Sequence, residues 1–85
     1  MFKIWARVIK LDKIIKQYVY ETNSQFDKED FNNYLMHICK ELDIETPMAL
    51  TSHIDNFEEF NSVKFVSDNF LDHINFDYLI LEFIK

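Results

Sequence analysis

Apolar and polar positions alternate through residues 2–9 (FKIWARVI) and 14–21 (IIKQYVYE), both rich in β-branched and aromatic side chains. Lys10-Leu11-Asp12-Lys13 separates the two runs, so the pattern predicts a β-hairpin. The loop lacks Asn-Gly or Asp-Gly, which points to a four-residue connection built on a type I turn. An even-length loop places residues whose numbers sum to 23 opposite each other. Phe2, Ile4, Ala6, Val8, Ile15 and Val19 then form a core face. The other side sets Lys3 against Tyr20, Trp5 against Tyr18 and Arg7 against Lys16.

The period changes over residues 26–43, where Phe31, Tyr34, Leu35, Ile38 and Leu42 fall at i, i+3, i+4, i+7 and i+11. That stripe predicts an amphipathic helix. Asp27 is its expected N-cap, Glu29 and Asp30 favour its first turn, and Phe26 and Phe31 have the spacing of a hydrophobic staple. Thr46-Pro47 looks like a second cap with proline at the first helical position, and Leu50, Ile54 and Phe57 predict a helix over 47–59. An extended edge segment is the alternative there. Residues 62–66 (SVKFV) suggest a short strand, followed by a single turn capped at Ser67-Asp68. Residues 77–84 (DYLILEFI) predict the last strand, with Leu79, Leu81 and Phe83 on one face and Tyr78, Ile80 and Ile84 on the other. Apolar character on both faces predicts a central position or cover on both sides. The expected fold is α+β in one domain over 1–85: a β-hairpin, an amphipathic helix, a second helix, then two strands in a small antiparallel or mixed sheet.

Composition sharpens this outline chiefly by exclusion. The 85 residues contain no glycine. Phosphate-cradling loops, dinucleotide fingerprints, EF-hand loops and nucleophile elbows need glycine where the backbone turns sharply or meets a ligand. Positive φ must then fall to Asn or Asp, with Asn23, Asp43, Asn56, Asn61, Asp68 and Asn75 as candidates, or to a strained exception. Ile, Phe, Asn, Lys and Tyr supply 38 residues, while Ala, Arg and Pro number four, a bias that follows A/T-rich codons. At 48% hydrophobic and 16% aromatic, the chain is too apolar for intrinsic disorder. Cys39 is the one cysteine, so there is no internal disulfide, and no apolar run approaches the roughly 18 residues of a membrane span. A cytoplasmic location is the expectation.

The net charge of −6 is unevenly spread. Residues 1–20 carry five cations against one acid, and residues 21–85 carry four lysines against fourteen acids. Such asymmetry marks either a nucleic-acid or membrane contact on the basic half or lysines guarding a sheet edge, and the second reading is favoured.

Candidate chemistry is sparse. His37 and Cys39, two apart on a helix, point to different faces and cannot hold one ion together. His53 and His73, near Asp55, Asp72 and Asp77, would make a site only if the fold brought them together beside a carboxylate. Cys39 has the position of a small buried hydrophobe. Asp27, Glu29 and Asp30 are accounted for by a helix N-terminus, and Glu58-Glu59 by an exposed helix face. No Ser-His-Asp order, HExxH or CxxC is present. The sequence therefore points to a non-enzyme with no cofactor, no metal, no small-molecule substrate and no membrane association.

One surface stands out: Lys3, Trp5, Arg7, Lys16, Tyr18 and Tyr20 read as an aromatic–cationic hairpin face. Trp, Tyr and Arg are enriched at interface hot spots, so the face suits a protein partner or a homodimer. The same residues also suit cross-strand packing, or stacking of single-stranded nucleic acid, which the acidic remainder disfavours. The alternative function is an acidic nucleic-acid mimic occupying a DNA- or RNA-binding partner, with the acids of 27–30, 41–45, 55–59 and 68–77 as its phosphate rows.

Taken together, IWARVI, YVYE, ICKELDIETP, FEEFNSVKF and FDYLILEFI resemble a group of small uncharacterised proteins from low-GC Gram-positive bacteria. The resemblance covers nearly the whole chain. It implies a bacterial, AT-rich, cytoplasmic origin and attaches no activity or site residue.

Overall fold

The computed structural model describes residues 1–84. Strands β1 (Phe2–Lys10) and β2 (Lys13–Thr22) form the hairpin. Helices α1 (Phe31–Leu42) and α2 (Thr51–Phe60) follow, then β3 (Ser62–Val66) and β4 (Tyr78–Ile84). The four strands make one antiparallel sheet in the order β2-β1-β4-β3, an α+β fold. β4 is central, as its two apolar faces predict.

The even-numbered residues of β1 (Phe2, Ile4, Ala6, Val8) are buried with Val63, Phe65, Leu79 and Leu81 beneath both helices. α1 contributes its whole predicted stripe, Phe31, Tyr34, Leu35, Ile38 and Leu42, together with Cys39. Phe57 ties α2 to this layer, its ring 5.4 Å from Phe31, 5.6 Å from Phe26 and 5.9 Å from Phe83. Phe26 and Phe31, expected to staple the helix start, thus share Phe57 as a common neighbour.

Local signals account for most element ends. Asp27 Oδ1 accepts from the Glu29 amide at 3.0 Å and opens a 3-10 turn over Lys28–Asp30 that leads into α1. Asp43 closes α1 in the left-handed region with φ 57°, as expected for an Asp in a glycine-free chain. The Ile44 amide reaches the Cys39 carbonyl at 3.0 Å and the Asp43 amide that of Lys40 at 3.1 Å, the two bonds of a Schellman end. Asn61, at φ 61°, ends α2 in the same region.

Three expectations are corrected. The second helix spans 51–60 rather than 47–59. Pro47 is buried in a segment without regular secondary structure, and the Met48 amide donates to the Asn69 carbonyl at 2.8 Å instead of entering a helix. His53 caps the actual start, its Nδ1 accepting from the Leu50 amide at 2.9 Å. Next, the hairpin turn is two residues long: Leu11 and Asp12 both have positive φ, 52° and 63°. That is the sense of turn that matches strand twist, here built without glycine or asparagine.

The third correction concerns register. Lys10 faces Lys13 and Ile9 faces Ile14, pairs that sum to 23, but Val8 faces Lys16. Ile15 is an extra residue, a β-bulge, and every later pair sums to 24. A one-residue slip moves each following side chain to the opposite face of the sheet. Tyr18 and Tyr20 thereby turn towards α1, and Val19 turns away from the core. The slip exchanges one buried Val for two tyrosines with partners: Tyr20 lies 5.6 Å from Tyr34 and 5.2 Å from His37, ring to ring, and Tyr18 Oη is 3.2 Å from His37 Nε2.

Candidate interaction surface

The bulge divides the six residues of the expected aromatic–cationic face into two groups of three. Lys16, Tyr18 and Tyr20 belong to the helix-covered side. Lys16 Nζ donates to the Leu42 carbonyl at 3.0 Å, putting a cation on the negative end of the α1 dipole. Tyr18 is pushed above the usual tyrosine range, first by burial and then by Glu41, Tyr20 and Glu21 nearby. These three residues join the hairpin to α1. The facing pairs Lys3–Tyr20, Trp5–Tyr18 and Arg7–Lys16 do not form. Their real partners are Glu21, Val19 and Gln17.

Lys3, Trp5 and Arg7 occupy the face that no helix covers. Cross-strand pairing runs in rows across this open face: Lys64–Ile80–Arg7–Gln17, then Ser62–Glu82–Trp5–Val19, with Val66–Tyr78–Ile9–Ile14 above and Ile84–Lys3–Glu21 below. The Arg7 guanidinium lies 4.0 Å from the Trp5 ring centre, and Lys64 Nζ lies 4.2 Å from that of Tyr78. Arg7 also pairs with Glu82 at 2.9 Å, with 19% of its side chain exposed. Its Nε is buried and has no hydrogen-bond partner among the described residues. Trp5 Nε1 donates to Gln17 Oε1 at 3.0 Å. Both Trp5 and Tyr18 are half-buried. Tyr78, Ile80, Ile84 and Lys64 complete the surface. The sequence signal for Tyr78, Ile80 and Ile84 is the second apolar face of β4, which holds no local link to Trp5; Lys64, in β3, carries no such signal.

The remaining candidates are dispersed. His37 meets Tyr18, His53 caps α2 with its ring 4.8 Å from that of Phe65, and His73 lines a cleft near the turn end of the hairpin. His53 and His73 therefore sit at different places. Burial lowers the pKa of His53, in keeping with Nδ1 accepting a hydrogen bond. Burial drives the Cys39 thiol up to about 12. Among the described residues no three His, Cys, Asp or Glu side chains are grouped as a metal would need. Several acids have local work: Asp27 caps a turn, Glu45 accepts from the Leu71 amide at 2.8 Å, and Asp77 from the Leu11 amide at 2.8 Å. Among the described residues no helix is long and apolar enough to cross a membrane.

No protein-family model matches this chain, and neither a curated protein nor a solved structure matches it.

Proposed function

We propose that this protein is a non-catalytic interaction module that associates with a second copy of itself through the open face of the sheet. The observation that carries the reading is β4, a central strand whose Tyr78, Ile80 and Ile84 meet no second layer. A strand apolar on both faces is ordinarily covered on both. Around it lie Trp5, Arg7 and Tyr78, the side-chain types most enriched at hot spots.

Charge favours a second copy over an acidic or basic partner. The face holds three cations (Lys3, Arg7, Lys64) and two acids (Glu21, Glu82), so it is nearly neutral in a chain of net charge −6. Two copies meet there with the least repulsion. Four strands spaced about 4.8 Å apart, roughly seven residues long, present about 450 Å² per copy. A total near 900 Å² belongs to weak, transient association rather than an obligate dimer.

Sedimentation equilibrium from micromolar to millimolar protein tests the reading. The weight-average mass should climb towards twice the monomer while Trp5 emission shifts to the blue. Val19→Lys, at a site 45% exposed on this face, should remain monomeric with an unchanged circular-dichroism spectrum. A monomer mass over the whole range, with Trp5 freely quenched by iodide, would overturn it.

A further inference from the structure

The cleft near the turn end of the hairpin is walled by four segments distant in the sequence: the end of β1, the start of β2, the residues that follow α1, and the loop 73–76. Bonds cross the seams between them. Lys16 Nζ donates to the Leu42 carbonyl at 3.0 Å and joins β2 to the end of α1. Glu45 Oε2 accepts from the Leu71 amide at 2.8 Å and fastens that end of α1 to the chain before the loop. The Asp77 amide donates to the Ile9 carbonyl at 2.8 Å and closes the far end of the loop onto β1. The cleft is therefore preformed by the fold, and its volume of about 430 Å³ is that of a small-molecule site.

Part of the lining is apolar: Val8 is buried, and Ile44, Ile74 and Phe76 are half-buried against the core. Two cations and two acids line the cleft as well, Lys10, Lys16, Asp43 and Glu45. Among the described residues none of the four has an ion-pair partner; the pairs that form are Lys3–Glu21 and Arg7–Glu82. Lys16 lies opposite Val8 in the hairpin and Lys10 two residues further along β1, so the two lysines are diagonal neighbours on the helix-covered face. Lys16 Nζ is 3.5 Å from the Asp43 main-chain oxygen, which sets a cation immediately beside an acidic residue. Opposite charges thus stand side by side next to apolar surface. A ligand of one sign meets like charge here, an anion at Asp43 and Glu45, a cation at Lys10 and Lys16.

We propose that this cleft binds a free α-amino acid with an apolar side chain. Such a molecule carries its ammonium and carboxylate on one carbon, so its site must hold a cation and an acid as neighbours, with apolar surface beside them. The carboxylate accepts from Lys10 and from Lys16, whose ammonium has three protons and gives two of them to main-chain oxygens. The ammonium donates to the Asp43 carboxylate at the end of α1, where the helix dipole also favours positive charge. Glu45 adds negative charge on the same wall. The side chain lies along Ile44, Ile74 and Phe76. None of these residues belongs to the open face of the sheet, so either reading stands without the other.

The test follows the amide shifts of ¹⁵N-labelled protein while L-leucine or L-phenylalanine is added to millimolar excess. At least one of them should give saturable shifts centred on Lys10, Lys16, Ile44 and Ile74, with Trp5 and Tyr78 unmoved. The analogue lacking the ammonium (isocaproate or hydrocinnamate) and the one lacking the carboxylate (isoamylamine or phenethylamine) should each bind at least tenfold more weakly, the scale of a lost charge-assisted hydrogen bond. Asp43→Asn keeps a residue that tolerates the left-handed end of α1 and removes only the charge. It should weaken the amino acid about tenfold and leave the acid analogue no weaker. Lys10→Gln, at an exposed position, should weaken both and serves if the Asp43 variant fails to fold. No saturable shift with either amino acid would overturn the proposal, as would shifts confined to Trp5 and Tyr78. Equal binding of either analogue would make the cleft a site for a single charge and equally overturn it. An amino-acid affinity unchanged in the two variants would do the same.

Discussion

The Leu11 amide donates to Asp77 Oδ2 at 2.8 Å, and the Asp77 amide returns to the Ile9 carbonyl at 2.8 Å. These bonds hold the hairpin tip against the residue that precedes β4. They also sustain a conformation that leucine disfavours, since the left-handed region costs an L-residue about 1–2 kcal/mol. The Leu11 side chain is 77% exposed and adds little packing. Leu11→Asn should therefore stabilise the fold by about 1 kcal/mol, raising the melting temperature by roughly 4–8 °C. Asp77→Ala should lower it by a similar amount through the lost acceptor. Calorimetric melts of the two variants read both signs.

Cys39 is fully buried, and burial holds its thiol protonated up to about pH 12. Since only the thiolate attacks disulfide reagents, labelling by an aromatic disulfide at pH 8 should proceed only through unfolded molecules. Labelling should be slow in buffer and complete within seconds in denaturant. The sign of the linkage follows from the raised value. Below the ordinary thiol pKa the contribution to stability is intact, and it is lost as pH climbs through the folded value. Cys39→Ala should remove that part of the alkaline loss while introducing a small cavity.

The legible parts of this chain are those with a local physical signal. The α1 stripe, the Asp27 cap, and the 62–66 strand with its following turn each rest on spacing or capping chemistry within a few residues. Asp43 and Asn61 were recognisable because a glycine-free chain leaves left-handed helix ends to Asp and Asn. Leu11 was not, since its conformation depends on Asp77, 66 residues away. Thr46-Pro47 misled because the Met48 amide has a tertiary partner in Asn69 that outweighs a local cap. The Ile15 bulge was hidden for another reason: Ile14-Ile15 is apolar at both parities, so the pattern holds no preference for either register. The candidate surface inherited that ambiguity, and only its Lys3, Trp5 and Arg7 half was legible as one face.

His53 gives the fold a dependence on acid. Its Nδ1 accepts the Leu50 amide at 2.9 Å, which only the unprotonated nitrogen can do, and burial lowers its pKa. The unfolded chain then binds more protons between the folded value and the ordinary histidine value near 6.5. Stability is complete above that ordinary value and falls as pH drops through the folded one. His53→Gln, which keeps an acceptor at the third helical position, should flatten this slope. His53→Ala should flatten it and cost about 1 kcal/mol at neutral pH, the usual loss of a cap. Urea melts at a series of pH values separate the two effects.

The register itself is open to a direct test, because a bulge residue is the one position in β2 whose removal leaves both faces in place. With Ile15 deleted, Ile14 joins Lys16, and the pairs Ile9–Ile14 and Val8–Lys16 become neighbours in an unbroken ladder. Tyr18 and Tyr20 stay against α1, and Trp5 stays on the open face beside Val19. The lost side chain is 47% exposed, so the variant should remain folded and within roughly 1–2 kcal/mol of the parent. Nuclear Overhauser contacts between the Tyr18 and His37 rings, 6.0 Å apart by their centres, should persist. In a hairpin paired without the bulge, Ile15 would sit opposite Val8, and its removal would carry every later residue of β2 to the other face. Loss of the Tyr18–His37 contacts in a folded deletion variant would therefore refute the bulge.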